Sequence, residues 1–309
     1  MRAEEYFSIA SAYFDLGKYT EAERWFNLAR LHEKTRFASE YNLARIAFQK
    51  NESEDAARRF ENLLTHDPSN AMVLRAAAYS WMKAEKWDKA LGLFERIADM
   101  LPETEDARYN FALALSSAGR LEEAVEKIKP YVARRPDDRE SLLLLARTER
   151  KLGKPEAADR YVAALKLKED LSVQLELAEV FESLQLYARA LETFRALVEA
   201  PAEIPKVGKP FLRFRAARVM FLAGEDVSKS FAELKLAVSA GFNDVALIRA
   251  LAEDEKLSES TKAQLLEIAG EIAAKTKTDD GEPKKPESEA PVPDVLAPDP
   301  LAPKGTANP

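Results

Sequence analysis

The sequence predicts an all-α fold, a solenoid of antiparallel helix pairs. Three observations predict it. The chain resembles itself at a period of 34 residues, two columns of alanine recur with that period, and glycine and proline fall in step with both.

If a unit begins at Ala3, further units begin at Phe37, Ala71, Glu105, Arg139 and Leu171, at spacings of 34, 34, 34, 34 and 32. The eighth position reads Ala10, Ala44, Ala78, Ala112, Ala146 and Ala178, and the twentieth reads Ala22, Ala56, Ala90, Ala124, Ala158 and Ala190. Position 24 is large and apolar, as Phe26, Phe60, Phe94, Ile128, Val162 and Phe194. Small residues let two helix backbones approach closely, and large ones fill the holes beside them. Each unit therefore predicts two helices. In the third, apolar residues recur at helical spacing on both sides of the polar break Lys83 to Lys86. Gly17, Gly119 and Gly153 fall at that same turn, where a left-handed residue ends a first helix. Pro68, Pro102 and Pro136 close second helices.

The length, the paired small residues and the closing proline resemble the tetratricopeptide repeat family over residues 3 to 202. Its aromatic positions are matched in part, by Tyr13, Trp81 and Phe181 at position 11 and by Tyr19, Trp87 and Tyr187 at position 17. The chain departs from the pattern at Lys34 and Asp170, where the family has proline, and at Glu149, where it has an aromatic residue. The pentatricopeptide repeat, an RNA reader, is a poorer match to an acidic chain with these alanine columns.

The resemblance implies a right-handed α-α superhelix with a concave groove lined by first helices, which receives an extended peptide or a helix. Its groove positions hold Tyr41, Asn42, Arg45 and Phe48 in the second unit and Arg75, Tyr79 and Lys83 in the third. The fourth unit supplies Tyr109 and Asn110, and the fifth Arg147, Arg150 and Lys151. These residues form the expected partner-binding surface, aromatic and basic. The sixth unit reverses the charge with Glu176, Glu179 and Glu182, and Arg215 and Arg218 follow, a pattern that would fix the direction of a bound peptide. The family's clamp for a chaperone's C-terminal carboxylate is not matched, because only Asn42 fits among Phe7, Ser11, Asn42, Met72 and Ala76.

Past residue 202 the period fails. Pro205, Gly208 and Pro210 mark a connector over 203–210, and residues 211–275 read as a degenerate seventh repeat with capping helices. Residues 276–309 are rich in proline and charge, which predicts a disordered tail.

Composition narrows the function. The net charge of −7 disfavours a nucleic-acid partner. No metal is expected, because His32 and His66 lack companion ligands, and there is no cysteine. Without a phosphate-binding glycine loop or a nucleophile elbow, no enzyme activity and no cofactor are expected. The longest uncharged run, Tyr109 to Gly119, is far below the roughly 20 residues of a membrane-spanning helix. Together with the missing thiols and an N-terminus without an apolar leader, this predicts a cytoplasmic chain. The expected function is a scaffold that binds a protein or peptide partner, the alternative being a structural subunit of a larger assembly.

Overall fold

The computed structural model describes residues 2–100 and 105–278. Apart from an isolated bridge between Ile204 and Val207, all regular structure among the described residues is helical. The fold is the α-α superhelix class that the resemblance implies. The chain forms two compact units, one ending at Pro136 and the other beginning at Asp137.

The first unit holds α1 (Ala3–Asp15), α2 (Tyr19–Ala29), α3 (Glu33–Gln49), α4 (Ser53–Leu64), α5 (Ala71–Lys83), α6 (Trp87–Met100), α7 (Glu105–Ser117) and α8 (Leu121–Arg134). The second holds α9 (Arg139–Lys151), α10 (Glu156–Leu167), α11 (Leu171–Ser183), α12 (Tyr187–Glu199), α13 (Lys209–Leu222), α14 (Val227–Ser239), α15 (Val245–Ala252) and α16 (Glu259–Thr278). Odd-numbered helices up to α13 are the first helices of their pairs. Each packs on its own second helix, and that helix packs on the next pair within the unit.

The alanine columns are the seams. Position 8 is 0% exposed in all six units, and position 20 is 0% exposed everywhere except at Ala158, which is 6% exposed. Beside them Phe26, Phe60, Phe94 and Phe194 are buried, each worth about 1.5–3 kcal/mol of apolar transfer. The fifth unit shifts by one residue. There Val162 is only half-buried while Ala157 and Tyr161 are 0% exposed, so these two take the alanine and aromatic places expected of Ala158 and Val162. Pro155 caps α10, which starts one residue later within its unit than the other second helices.

Departures from the family pattern have local explanations. Asp170, in a proline position, is the N-cap of α11, and its carboxylate accepts from the backbone N–H of Ser172 (2.9 Å) and Val173 (3.3 Å). At Lys34 the missing proline lets α3 start at Glu33, four residues before the unit boundary, and the Thr35 hydroxyl donates to the carbonyl of Ala29 at 2.6 Å. The turn glycines sit in the left-handed region, with Gly119 at φ 80°. Asn51, Glu85 and Gln185 hold the same conformation in the other units without glycine's freedom.

Gly208 caps α13, with Pro210 in its first turn. Phe214 stacks on Phe242 with ring centroids 4.3 Å apart, in a cluster with Phe231, Ile248, Leu265 and Ile272 that ties α13 and α14 to α15 and α16. The expected tail, 276–309, lies outside the described residues beyond Thr278, as does Pro102 in the third unit.

Candidate partner-binding surface

First helices of neighbouring pairs meet through side chains, and the register of that meeting is regular. Position 9 of one unit reaches position 6 of the next in Tyr79–Asn110 and Arg147–Glu176, and position 12 reaches position 9 in Phe14–Arg45 and Arg150–Glu179, while Phe48 at position 12 meets Lys83 at position 13. The two units of the chain fill this register with different chemistry.

In the first unit the contacts are aromatic and polar. The Arg45 guanidinium lies 4.4 Å from the centroid of Phe14, across from α3 to α1. It also donates to the Asn42 side-chain oxygen at 2.9 Å, while the Asn42 amide donates to the carbonyl of Ala38 at 2.8 Å. From α5 to α3, the Lys83 ammonium sits 4.4 Å from the Phe48 centroid and 3.5 Å from the Phe48 carbonyl oxygen. From α7 to α5, the Asn110 amide donates to the Tyr79 hydroxyl. Tyr79 meets Phe94 edge-on, and Tyr41 tilts against Phe60 at 5.3 Å. Burial pushes the Tyr41 phenol above its ordinary value, against the opposing charge of Arg45.

These contacts place several of the expected groove residues between helices. Phe48 is 7% exposed, Tyr79 6%, Tyr109 8% and Asn110 0%, so they fill seams between helices instead of standing free as ligand anchors. The physical reason is that a large ring at the border of a groove gains more by folding into the adjoining seam than by staying in water. Tyr41, Asn42 and Arg45 are half-buried.

What stays open is a stripe on α5. Met72, Arg75 and Lys83 share one helical face, at spacings of three and eight residues. Met72 is 51% exposed. Arg75 is half-buried, makes no ion pair among the described residues, and its Nε is buried without a hydrogen-bond partner among them. No carboxylate occurs anywhere in α5.

In the second unit the same register carries a charge ladder. Arg147 makes a two-pronged pair with Glu176 (2.9 and 2.7 Å), and Arg150 pairs with Glu179 at 2.8 Å. Arg215 bridges Glu179 (2.9 Å) and Glu182 (2.7 Å), and Arg218 completes the series on Glu182. From α10 the Tyr161 hydroxyl donates to Glu176 at 2.7 Å. Burial first, and the Glu176 charge next, push that phenol well above its ordinary value. Burial opposes the charged form of Arg147, but the hydrogen bond and charge of Glu176 outweigh it and raise its proton affinity.

Arg147 and Arg150, expected to meet a ligand, are therefore occupied by α11. The acidic run of α11, expected to orient a peptide, is their internal partner. Glu176, Glu179 and Glu182 were visible as a charge reversal, and their role was readable from opposite charges at matched positions of consecutive units. Lys151 is exposed at the end of α9. His32 stacks on Tyr6 with centroids 6.1 Å apart, and among the described residues no three His, Asp or Glu side chains converge in a way that could hold a metal ion. No helix among them is long and apolar enough to cross a membrane.

Profiles described as tetratricopeptide repeat match residues 3–33, 41–107, 81–148 and 143–204. A tetratricopeptide repeat protein from Parabacteroides merdae superposes with a TM-score of 0.57 at 17% identity, over 87% of this chain and 98% of its own. MamA from Desulfovibrio magneticus RS-1 (0.51, 22% identity) and YrrB, described as having an unusual peptide-binding site (0.50, 18%), share the fold over 54% and 56% of this chain and 94% and 89% of theirs. A curated relative, an uncharacterized lipoprotein of Treponema pallidum (strain Nichols), is 28% identical over 127 residues. The match covers 41% of this chain and spans 65% of the relative's length. This relative corrects the expectation of a cytoplasmic chain, since a lipoprotein points to a membrane-anchored or extracytoplasmic setting. The absence of thiols has no power to decide the matter, because a chain without cysteine is indifferent to the redox state around it. By its repeats, its fold and these matches, the chain belongs to the tetratricopeptide repeat family, a protein-interaction fold.

Proposed function

We propose that this chain is a non-catalytic scaffold whose first-helix face in the first unit holds an extended or helical segment of a partner protein bearing acidic and apolar side chains. The observation that carries this reading is the α5 stripe, where Met72 is exposed beside Arg75 and Lys83 and no ion pair occupies either cation. A chain of net charge −7 that leaves two cations uncompensated on one helix offers a local site for carboxylates. Met72 supplies an adaptable apolar contact at the end of the same stripe. Tyr41 and Arg45 on α3 border it. In the second unit Arg147, Arg150, Arg215 and Arg218 already have carboxylates within the unit, so the expected surface of units two to five narrows to α3 and α5. A neighbour in fold, YrrB, is described as carrying a peptide-binding site, which agrees with this reading at the level of the fold.

The test is affinity capture from the native cell extract, comparing the parent with Arg75→Glu, Lys83→Glu and a control on the outer helix α8, Lys129→Glu. The expected result is a captured protein that is lost with either first-helix variant and kept with the control. Equal capture by all four chains, or loss only with the α8 control, would remove the α5 stripe as the binding surface.

A further inference from the structure

The sequence that follows α16 has the chemistry that the α5 stripe would accept. From Pro286 to Pro303 it carries Glu287, Glu289, Asp294 and Asp299 and no Lys or Arg. Val292, Val295, Leu296 and Leu301 are interleaved with these carboxylates. Six prolines in the same stretch favour the extended polyproline conformation, which loses little entropy when it docks. On the receiving side, Arg75 and Lys83 are cations without a carboxylate, and Met72 is an exposed apolar side chain in line with them.

We propose that residues 287–301 dock on the α5 stripe of their own chain and so compete with the partner protein for it. This rests on the reading of that stripe as a ligand surface. Charge complementarity carries the choice of occupant: four carboxylates meet two uncompensated cations, whereas Arg147, Arg150, Arg215 and Arg218 of the second unit already have their carboxylates. The 21 residues from Thr278 to Asp299 span about 70 Å when extended. Tethering raises the local concentration of the segment to about the millimolar range, so that even weak docking occupies the stripe. The partner must then outcompete the tail, and anything that removes the tail or masks its acids opens the surface.

The experiment uses the full chain and a fluorescent peptide of residues 286–303. In one variant the chain's own tail is neutralised by Glu287→Gln, Glu289→Gln, Asp294→Asn and Asp299→Asn. That variant should bind the peptide at least fivefold more tightly than the parent. Adding Arg75→Glu to it should weaken binding at least tenfold, and adding Lys129→Glu should leave it unchanged. The difference between parent and neutralised tail should not depend on chain concentration, as a tether within one chain requires. If the neutralised chain does not bind the peptide, or binds it no better than the parent does, the tail proposal falls. Should partner capture still depend on Arg75 in that case, the α5 reading survives alone. Should neither depend on Arg75, both are overturned.

Discussion

The two units build the same interface with different materials. Both stack helix pairs on buried alanines, and both bring position 9 of one first helix to position 6 of the next. The first unit closes that meeting with Tyr79 and Asn110, and the second with Arg147 and Glu176. An aromatic seam leaves a neighbouring cation such as Arg75 uncommitted, whereas a ladder uses up each charge it contains. The seam is thus compatible with a ligand surface, and the ladder is structural.

The largest expected effect tests what the units share. Ala90→Glu in the first and Ala190→Glu in the second should each cost about 4 kcal/mol or more, through overpacking and a buried unpaired carboxylate. Urea denaturation should show comparable losses, and a loss confined to one unit would mean that the alanine seam is not common to both. The next variant separates them. Glu182→Gln leaves Arg218 without its carboxylate and Arg215 with Glu179 alone, at a side chain 6% exposed, and should cost about 3 kcal/mol, somewhat less than a fully buried pair because Arg218 is 37% exposed. Arg75→Ala should change stability by less than about 0.5 kcal/mol, as for a side chain without partners. Equal losses for the two would erase the contrast between ladder and seam.

The smallest effect concerns alkaline pH. The Tyr161 phenol is held above its unfolded value near 10, so its contribution to stability is complete below pH 10 and is lost as pH rises through its folded value. The slope from this one group is at most about 1.4 kcal/mol per pH unit. Tyr161→Phe should make the alkaline loss of stability shallower, as followed by helical circular dichroism between pH 9 and 12. An unchanged slope would detach Tyr161 from the ladder.

Much of the architecture was legible because close packing repeats itself. The starts of α1, α5, α7, α9 and α11 coincide with the unit boundaries read from the alanine columns. The fifth unit was misread by one residue, because Ala157 and Ala158 are equally good spacers and only packing decides that Tyr161, not Val162, fills the hole. The candidate surface was less legible. A groove position specifies a direction away from the core, but not whether a ring there folds into the next seam, as Phe48 and Tyr109 do. Nor does a count of charges along one helix reveal pairing. Arg147 and Arg75 occupy comparable groove positions, and only α11 beside the first makes them different.

The ladder has a further consequence, for assembly. A chain of near-identical repeats risks docking the wrong helix against its neighbour while folding, because every alanine seam resembles every other. In the second unit α11 presents three carboxylates between two cationic helices, α9 and α13. Were α9 to meet α13 with α11 left out, Arg147 and Arg150 would face Arg215 and Arg218, and the mispaired intermediate would be repelled. The ladder works as an address: it tells each of these three helices which neighbour is its own, a distinction that the repeated alanines alone do not make.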